Sequence, residues 1–301
     1  MSARRNWLAY LALCAGILSL SMSSIFIRWA DAPGPVTSFY RMGLAAVILT
    51  PFALRKTSFG AIDRRAWIFP VLGGIFTALD HGVWSTALSW TRVANATLMN
   101  NTAPIWVALF AWIVLREKLK PSFWVGLILA MTGATIVLGS DLLQHPTLSR
   151  GDGLALLSGI FYAGYFLITQ RGREKFATLT YIWMICIVSA LVLLGICLGS
   201  GFALVGYDTR TVLVFMATAL ISQVVGYFSV GYALGHLPAS LVAPTMIVQP
   251  VLTALLAIPM VGESLQPSQW IGGLIVLAGI YLVNHSHSTA SPTGEQVIPT
   301  D

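Results

Sequence analysis

Charge is what this sequence has least of: Asp, Glu, Lys and Arg make up 9% of its 301 residues, while 56% are hydrophobic. Water-soluble domains carry about 25% charged residues. So few charges cannot cover a water-facing surface, and most of the outer surface must face lipid. Cysteine is as scarce. Cys14, Cys186 and Cys197 all fall inside apolar runs without metal-ligand spacing, and read as small packing residues. No loop between the apolar runs reaches the length of a domain, which leaves no room for an ATPase, kinase or receptor module. A Walker-type phosphate loop, a His-Glu-x-x-His zinc pattern and a Gly-x-Ser-x-Gly elbow are also missing, which argues against primary pumping and intramembrane hydrolysis. Neither catalysis nor a cofactor or metal is expected. The formal charge of +6 does not indicate nucleic acid, because the Lys and Arg residues sit in short clusters between apolar runs.

What the chain does contain, it contains twice. The stretch from Asn95 to Val137 returns 146 residues later without a gap. Pro104 falls on Pro250, Glu117 on Glu263, Pro121 on Pro267, Trp124 on Trp270, Gly126 on Gly272 and Gly133 on Gly279. Where charge is this rare, such a match at one fixed offset marks a tandem duplication. A weaker echo links residues 11–17 to 154–160.

Ten apolar runs approach the length of about 20 residues that a membrane-spanning helix needs. They are placed at 7–28, 35–54, 67–89, 94–115, 122–139, 152–170, 177–198, 211–235, 239–261 and 268–284. The first run follows Arg4 and Arg5 like a signal peptide, but it is long enough to span and has a duplicated partner, so it reads as a retained helix. The expectation is an all-α integral membrane protein of ten transmembrane helices. Residues 1–140 form one five-helix repeat, 151–284 a second, and 285–301 a disordered polar cytoplasmic tail. With the N-terminus inside, twelve Lys and Arg fall in cytoplasmic segments and four outside, which places both termini in the cytoplasm of a bacterial-type inner membrane. Five is odd, so the second repeat inserts upside down. Two inverted repeats make half-shells that rock about a midplane cavity, the architecture of a secondary transporter.

The layout, the run from Ala78 to Leu109 (A-L-D-H-G-V-W-S-T-A-L-S-W-T-R-V-A-N-A-T-L-M-N-N-T-A-P-I-W-V-A-L), and the R-E-K-L and G-E-S-L endings of helices four and nine resemble the EamA-type members of the drug/metabolite transporter superfamily. The resemblance covers nearly the whole chain up to the tail. It implies a 5+5 inverted fold and transport, mostly export, of amino acids and other small metabolites. It does not name the substrate.

Ionisable residues at membrane depth are costly and therefore functional candidates. Arg41 in helix two and the adjacent Asp80 and His81 in helix three are the clear ones. Counted at about 1.5 Å per residue, Arg41, Asp80, Asn100 and Asn101 lie some 9–14 Å from the outer helix ends, in one layer. An Arg41–Asp80 ion pair, or an Arg41–Asp80–Asn101 network, is expected, either fixing helix packing or touching substrate and coupling proton. Histidine's ordinary pKa lies near neutrality, which makes His81 a better candidate for a proton site than Arg41. Adjacent residues point about 100° apart, so only one of Asp80 and His81 is expected to face a cavity squarely. Trp84 shares their face. Helix six adds Tyr162, Tyr165 and Phe166, and helix eight adds Gln223, Tyr227 and Tyr232, as candidate aromatic and polar lining. Gln249 precedes Pro250, and Pro104 and Pro250 are expected as matched hinges. Gly126, Ala130 and Ala134 form a small-residue packing seam.

The reading is a secondary transporter, in the export direction, of an amino acid or related metabolite. Its partners are that substrate, the lipid bilayer and a coupling proton, with the chain a monomer or homodimer. A sugar-phosphate or nucleotide-sugar antiporter of the same superfamily would need a more basic cavity. From another class, a membrane-embedded enzyme or lipid scramblase is the alternative; the enzyme would need clustered His, Asp or Glu at one membrane face, and the five histidines are scattered.

Overall fold

The computed structural model of this chain describes residues 3–57, 62–88, 90–91, 93–138, 149–262 and 265–288. Within lipid a backbone must satisfy its own N–H and C=O groups, so each apolar run winds into a helix. All regular structure among the described residues is helical.

The first half begins with α1 (Ala3–Ser21) and α2 (Ser23–Trp29), separated by a break at Met22, and continues with α3 (Gly34–Lys56). A 3-10 turn at Arg64–Trp67 leads into α4 (Ile68–Ala87). Then come α5 (Val93–Asn100), α6 (Ala103–Ile113) and α7 (Pro121–Leu138). The second half opens with α8 (Arg150–Arg173), held at its start by a reciprocal Ser149–Asp152 capping box, and α9 (Thr178–Gly199). Asp208 caps α10 (Thr209–Ala217), which runs through a π-helical segment, Thr218–Tyr227, into α11 (Phe228–Leu234). α12 (Ala239–Thr245) passes through a 3-10 turn at Met246–Val248 into α13 (Gln249–Val261), and α14 (Pro267–Ser288) follows.

Nine helical stretches among the described residues are long and apolar enough to cross a membrane, and their ends fall within three residues of the expected runs. The expected fourth helix, 94–115, is not continuous. It is split into α5, of eight residues, and α6, of eleven, by a turn at Asn101–Thr102. Pro104 is the physical cause: it has no N–H to offer the preceding turn, so it occupies the start of a new helix instead. Pro250 does the same at the start of α13, 146 residues later. Pro104 thus follows a turn between two helices, while Pro250 follows a 3-10 turn within the continuous Ala239–Met260 span. At the C-terminus α14 continues to Ser288, past the expected end at 284, while the rest of the 285–301 tail lies outside the described residues.

Packing respects the duplication. α7 lies against its own repeat partner α14. An added Cβ on Gly126 would meet Gly279 O at 2.7 Å, and one on Gly133 would meet Gly272 O at 2.6 Å. Contacts that advance along one helix while retreating along the other mean the two run antiparallel. In lipid, attraction between helices comes from close packing rather than from excluding water, and glycine lets the backbones touch. Likewise α4 packs on α8, and α1 packs on the π-helical segment and α11, the same pairing with the two repeats exchanged. Outward-facing Val47, Val125 and Leu274 are exposed, as side chains in contact with lipid tails should be.

Candidate functional site

A cavity of about 570 Å³ lies between the two halves. Its wall includes Ile27, Leu88 and Leu138 from the ends of α2, α4 and α7, and Gln269 from the start of α14. It therefore opens at the end of the bundle where those helices meet, and reaches inward to Tyr162 at the middle of its span and Tyr227 in the far half of its own.

Ten of the fifteen residues singled out from the sequence as lining or hinges border it: Arg41, Asp80, His81, Trp84, Asn100, Asn101, Tyr162, Tyr227, Gln249 and Pro250. Tyr165 does not. It is 1% exposed and stands behind the wall, its ring 5.3 Å from Tyr227 and 6.1 Å from Tyr162. Pro104 is also buried away from the cavity. Phe166 is in the core, and Tyr232 packs on His236 at 4.3 Å.

Arg41 and Asp80 share the cavity but do not form the expected ion pair. The Arg41 guanidinium donates from Nε to Gln223 Oε1 at 3.1 Å and from Nη1 to Ser23 Oγ at 3.1 Å. It lies 5.2 Å from the centre of the Tyr227 ring, on a face where the ring quadrupole favours a cation. Asp80 accepts from Asn100 Nδ2 at 2.8 Å, and the same amide reaches Ser158 Oγ at 2.9 Å. The expected third member, Asn101, instead donates to Thr97 O at 2.8 Å within its own helix. Asn101 still bonds its backbone amide to Thr97 O at 2.9 Å, so the two neighbours keep helical spacing and point about 100° apart, and only Asn100 meets Asp80. Gly159 permits the approach, since a Cβ there would stand 3.0 Å from both Met99 O and Asn100 O.

His81 and Asp80 both border the cavity, against the expectation that one would turn away, because the cavity is wide enough to span the angle between them. His81 Nδ1 lies 3.8 Å from Asp80 Oδ2, and its ring meets Tyr227 edge-on at 6.2 Å. Arg41 Nη2, His81 Nε2 and Trp84 Nε1 are buried without a hydrogen-bond partner among the described residues. Orphaned groups of this kind are rare in settled interiors, and each calls for a polar partner from elsewhere. No cluster of potential metal ligands occurs among the described residues.

The opposite end of the bundle is held by a hydrogen bond between the halves and another within the second half. Ser240 Oγ donates to Glu117 Oε2 at 2.6 Å across them, and within the second half the Ala239 amide donates to Gln170 Oε1 at 2.7 Å. Arg173, fully buried at the end of α8, donates to Gly231 O at 3.1 Å and to Phe176 O.

Sequence reasoning missed Ser23 and Ser158, which hold Arg41 and Asn100, and Thr253, whose hydroxyl donates to Ser21 O at 2.9 Å beside the α1–α2 break. Hydroxyls in apolar helices carry little signal, because most simply bond the carbonyl one turn back. Gln223, expected as polar lining, is instead fully buried behind the wall, where it holds Arg41.

The EamA-like transporter family model matches the chain twice, over residues 7–139 and 149–285. A protein of Archaeoglobus fulgidus named uncharacterized transporter is 26% identical over 249 residues, spanning 81% of this chain and 86% of that one. A riboflavin transporter of Rhizobium johnstonii is 25% identical over 222 residues, spanning 71% of this chain and 70% of its own. A crystal structure with a TM-score of 0.78 covers 95% of this chain and 99% of that one at 16% identity, and so shares the fold. With apolar helices of spanning length and two matches that together take in both halves, this chain is an integral membrane protein and belongs to the EamA-like transporter family.

Proposed function

We propose that this protein is a secondary active transporter that exports a small amphoteric metabolite, an amino acid or a related compound, by alternating access. The observation that carries the reading is a midspan cavity, open at one end and closed by hydrogen bonds at the other, in which a buried cation and a buried carboxylate stand apart. Arg41 is 5% exposed and Asp80 4%, and neither neutralises the other directly. A zwitterion brings both complements: its carboxylate to Arg41 and its ammonium to Asp80. Desolvating either charge without such a partner is costly, which favours the substrate bearing both. Trp84, Tyr162 and Tyr227 supply apolar surface for a side chain.

The distribution of basic residues supports termini in the cytoplasm, and in that orientation the cavity faces out and the closed end faces in. Asp80 and His81 are the groups able to take up a coupling proton. Residues 1–140 and 151–284 serve as the two inverted units that rock. A sugar-phosphate antiporter is less well supported, since Arg41 is the one permanent cation among the described residues that line the cavity. A flat ring system is a second reading, favoured by the aromatic wall and by the Rhizobium relative named a riboflavin transporter.

The test is uptake into proteoliposomes of amino acids, amines, sugar phosphates and riboflavin, with and without a proton gradient, by wild type and Asp80→Asn. Gradient-driven movement of one amphoteric class, abolished by Asp80→Asn, supports the reading. Transport of amines or phosphates alone overturns the zwitterion site.

A further inference from the structure

A zwitterion held by Arg41 and Asp80 leaves two buried polar atoms beside it without a role. His81 and Trp84 line the cavity, yet His81 Nε2 and Trp84 Nε1 are shielded from water and have no hydrogen-bond partner among the described residues. Both belong to α4, with Trp84 one turn beyond His81, so their side chains are neighbours on one helix face. By contrast, Asn100, Asn101, Thr253 and Gln269 in the same wall each hold a bond to the protein itself.

The two atoms have opposite chemistry. The indole N–H of Trp84 donates and has no lone pair to offer. His81 turns Nδ1 toward the Asp80 carboxylate, 3.8 Å away, which favours the neutral tautomer with its proton on Nδ1. Nε2 then carries a lone pair and accepts. A donor beside an acceptor matches a group that does both, which a hydroxyl or a primary carboxamide does and a methyl or a carboxylate does not. An apolar group in that place would leave both atoms dry and unpaired, the costly arrangement. The pair also stands within reach: Trp84 is about 6 Å nearer the open end than Asp80, the span of a short side chain whose ammonium rests on the carboxylate.

We infer that His81 and Trp84 are a third point of recognition, and that the substrate carries a hydroxyl or carboxamide on its side chain besides its ammonium and carboxylate. This rests on the zwitterion reading of the site and narrows it. Side chains that line a site commonly change rotamer as a ligand enters, and a small turn of the two rings brings the shielded atoms onto it. A site built to hydrogen-bond a polar group rejects the analogue that lacks it, because its own buried atoms are then left unpaired.

Matched pairs of amino acids test this: threonine against valine, and asparagine against leucine, each pair nearly equal in shape and differing in the polar group. The purified protein in detergent is titrated with each, and Kd is read from the rise in thermal unfolding midpoint, which needs no transport. Wild type should bind the polar member of at least one pair about ten-fold more tightly than its apolar partner. Trp84→Phe and His81→Phe each keep a ring and remove the polar atom, and either should bring that ratio to about one without weakening valine or leucine. The wild-type ratio is read whether or not the variants fold. Equal affinity within both pairs, or a preference that survives in both variants, overturns the third contact and leaves the zwitterion reading standing. If no zwitterion raises the midpoint while amines or sugar phosphates do, the zwitterion reading falls and the third contact with it.

Discussion

Arg116 and Gly262, 146 residues apart, both hold left-handed backbone, with φ of 55° and 75°. Gly262 caps α13, and Arg116 follows the end of α6, the repeat-equivalent helix. The same turn is thus built twice, once with glycine and once with a residue whose Cβ is strained there. Left-handed geometry costs an ordinary residue about 1–2 kcal/mol. Arg116→Gly should relieve part of that strain and raise the thermal unfolding midpoint in detergent, less the added freedom of glycine in the unfolded chain. Gly262→Ala should lower the midpoint, by about 1 kcal/mol of stability. Equal midpoints for Gly262→Ala and wild type would mean that the turn is not held in this form.

The glycine seam makes a sharper demand. A Cβ on Gly126 would stand 2.7 Å from Gly279 O and 2.9 Å from Val283 N, backbone atoms that cannot turn aside. Gly126→Val should therefore separate α7 from α14 and cost about 1–3 kcal/mol through overpacking. Gly43, with nothing within 4 Å of an added Cβ, should accept Ala with little change. Thermal unfolding of the two variants side by side separates a packing effect from a general intolerance of membrane helices to substitution.

Arg41 tests geometry against charge. Arg41→Lys keeps a cation near the cavity but cannot reach Gln223 Oε1 and Ser23 Oγ with a planar fork. If the carboxylate of the substrate rests on Arg41, KM should rise about ten-fold or more while the protein stays folded. An unchanged KM would make Arg41 a packing residue clamped by Gln223.

The closed end should yield to Glu117→Gln. Ser240 donates to a charged acceptor there, and hydrogen bonds to charged groups contribute about 1.5–3 kcal/mol when buried, less at a half-exposed site such as this. A loss of about 1 kcal/mol would move the balance between the two states about five-fold toward opening at this end. Spin labels on α6 and α12 should report it as a longer distance population. No shift would place the seal at Gln170 and Arg173 instead.

Much of this protein follows from its residue pattern because a bilayer imposes one length and one chemistry on every span. A run of spanning length with few charges becomes a helix whatever its neighbours, so nine spans could be located to within three residues. Charge scarcity did the rest: Arg41, Asp80 and Asn100 stand out against an apolar background, and their depth follows from counting residues. What the pattern could not supply is helix rotation and the path of the chain at a break. Both depend on how side chains of different helices pack, which no local periodicity encodes. That is why Arg41 meets Gln223 and Ser23 rather than Asp80, why Asn100 replaces Asn101, and why Tyr165 stands behind the cavity wall. The sequence by itself determined the membrane class, the duplication and the layer in which the chemistry lies. Only the tertiary structure decided which of those groups face one another, because partners from different helices are chosen by packing across the bundle.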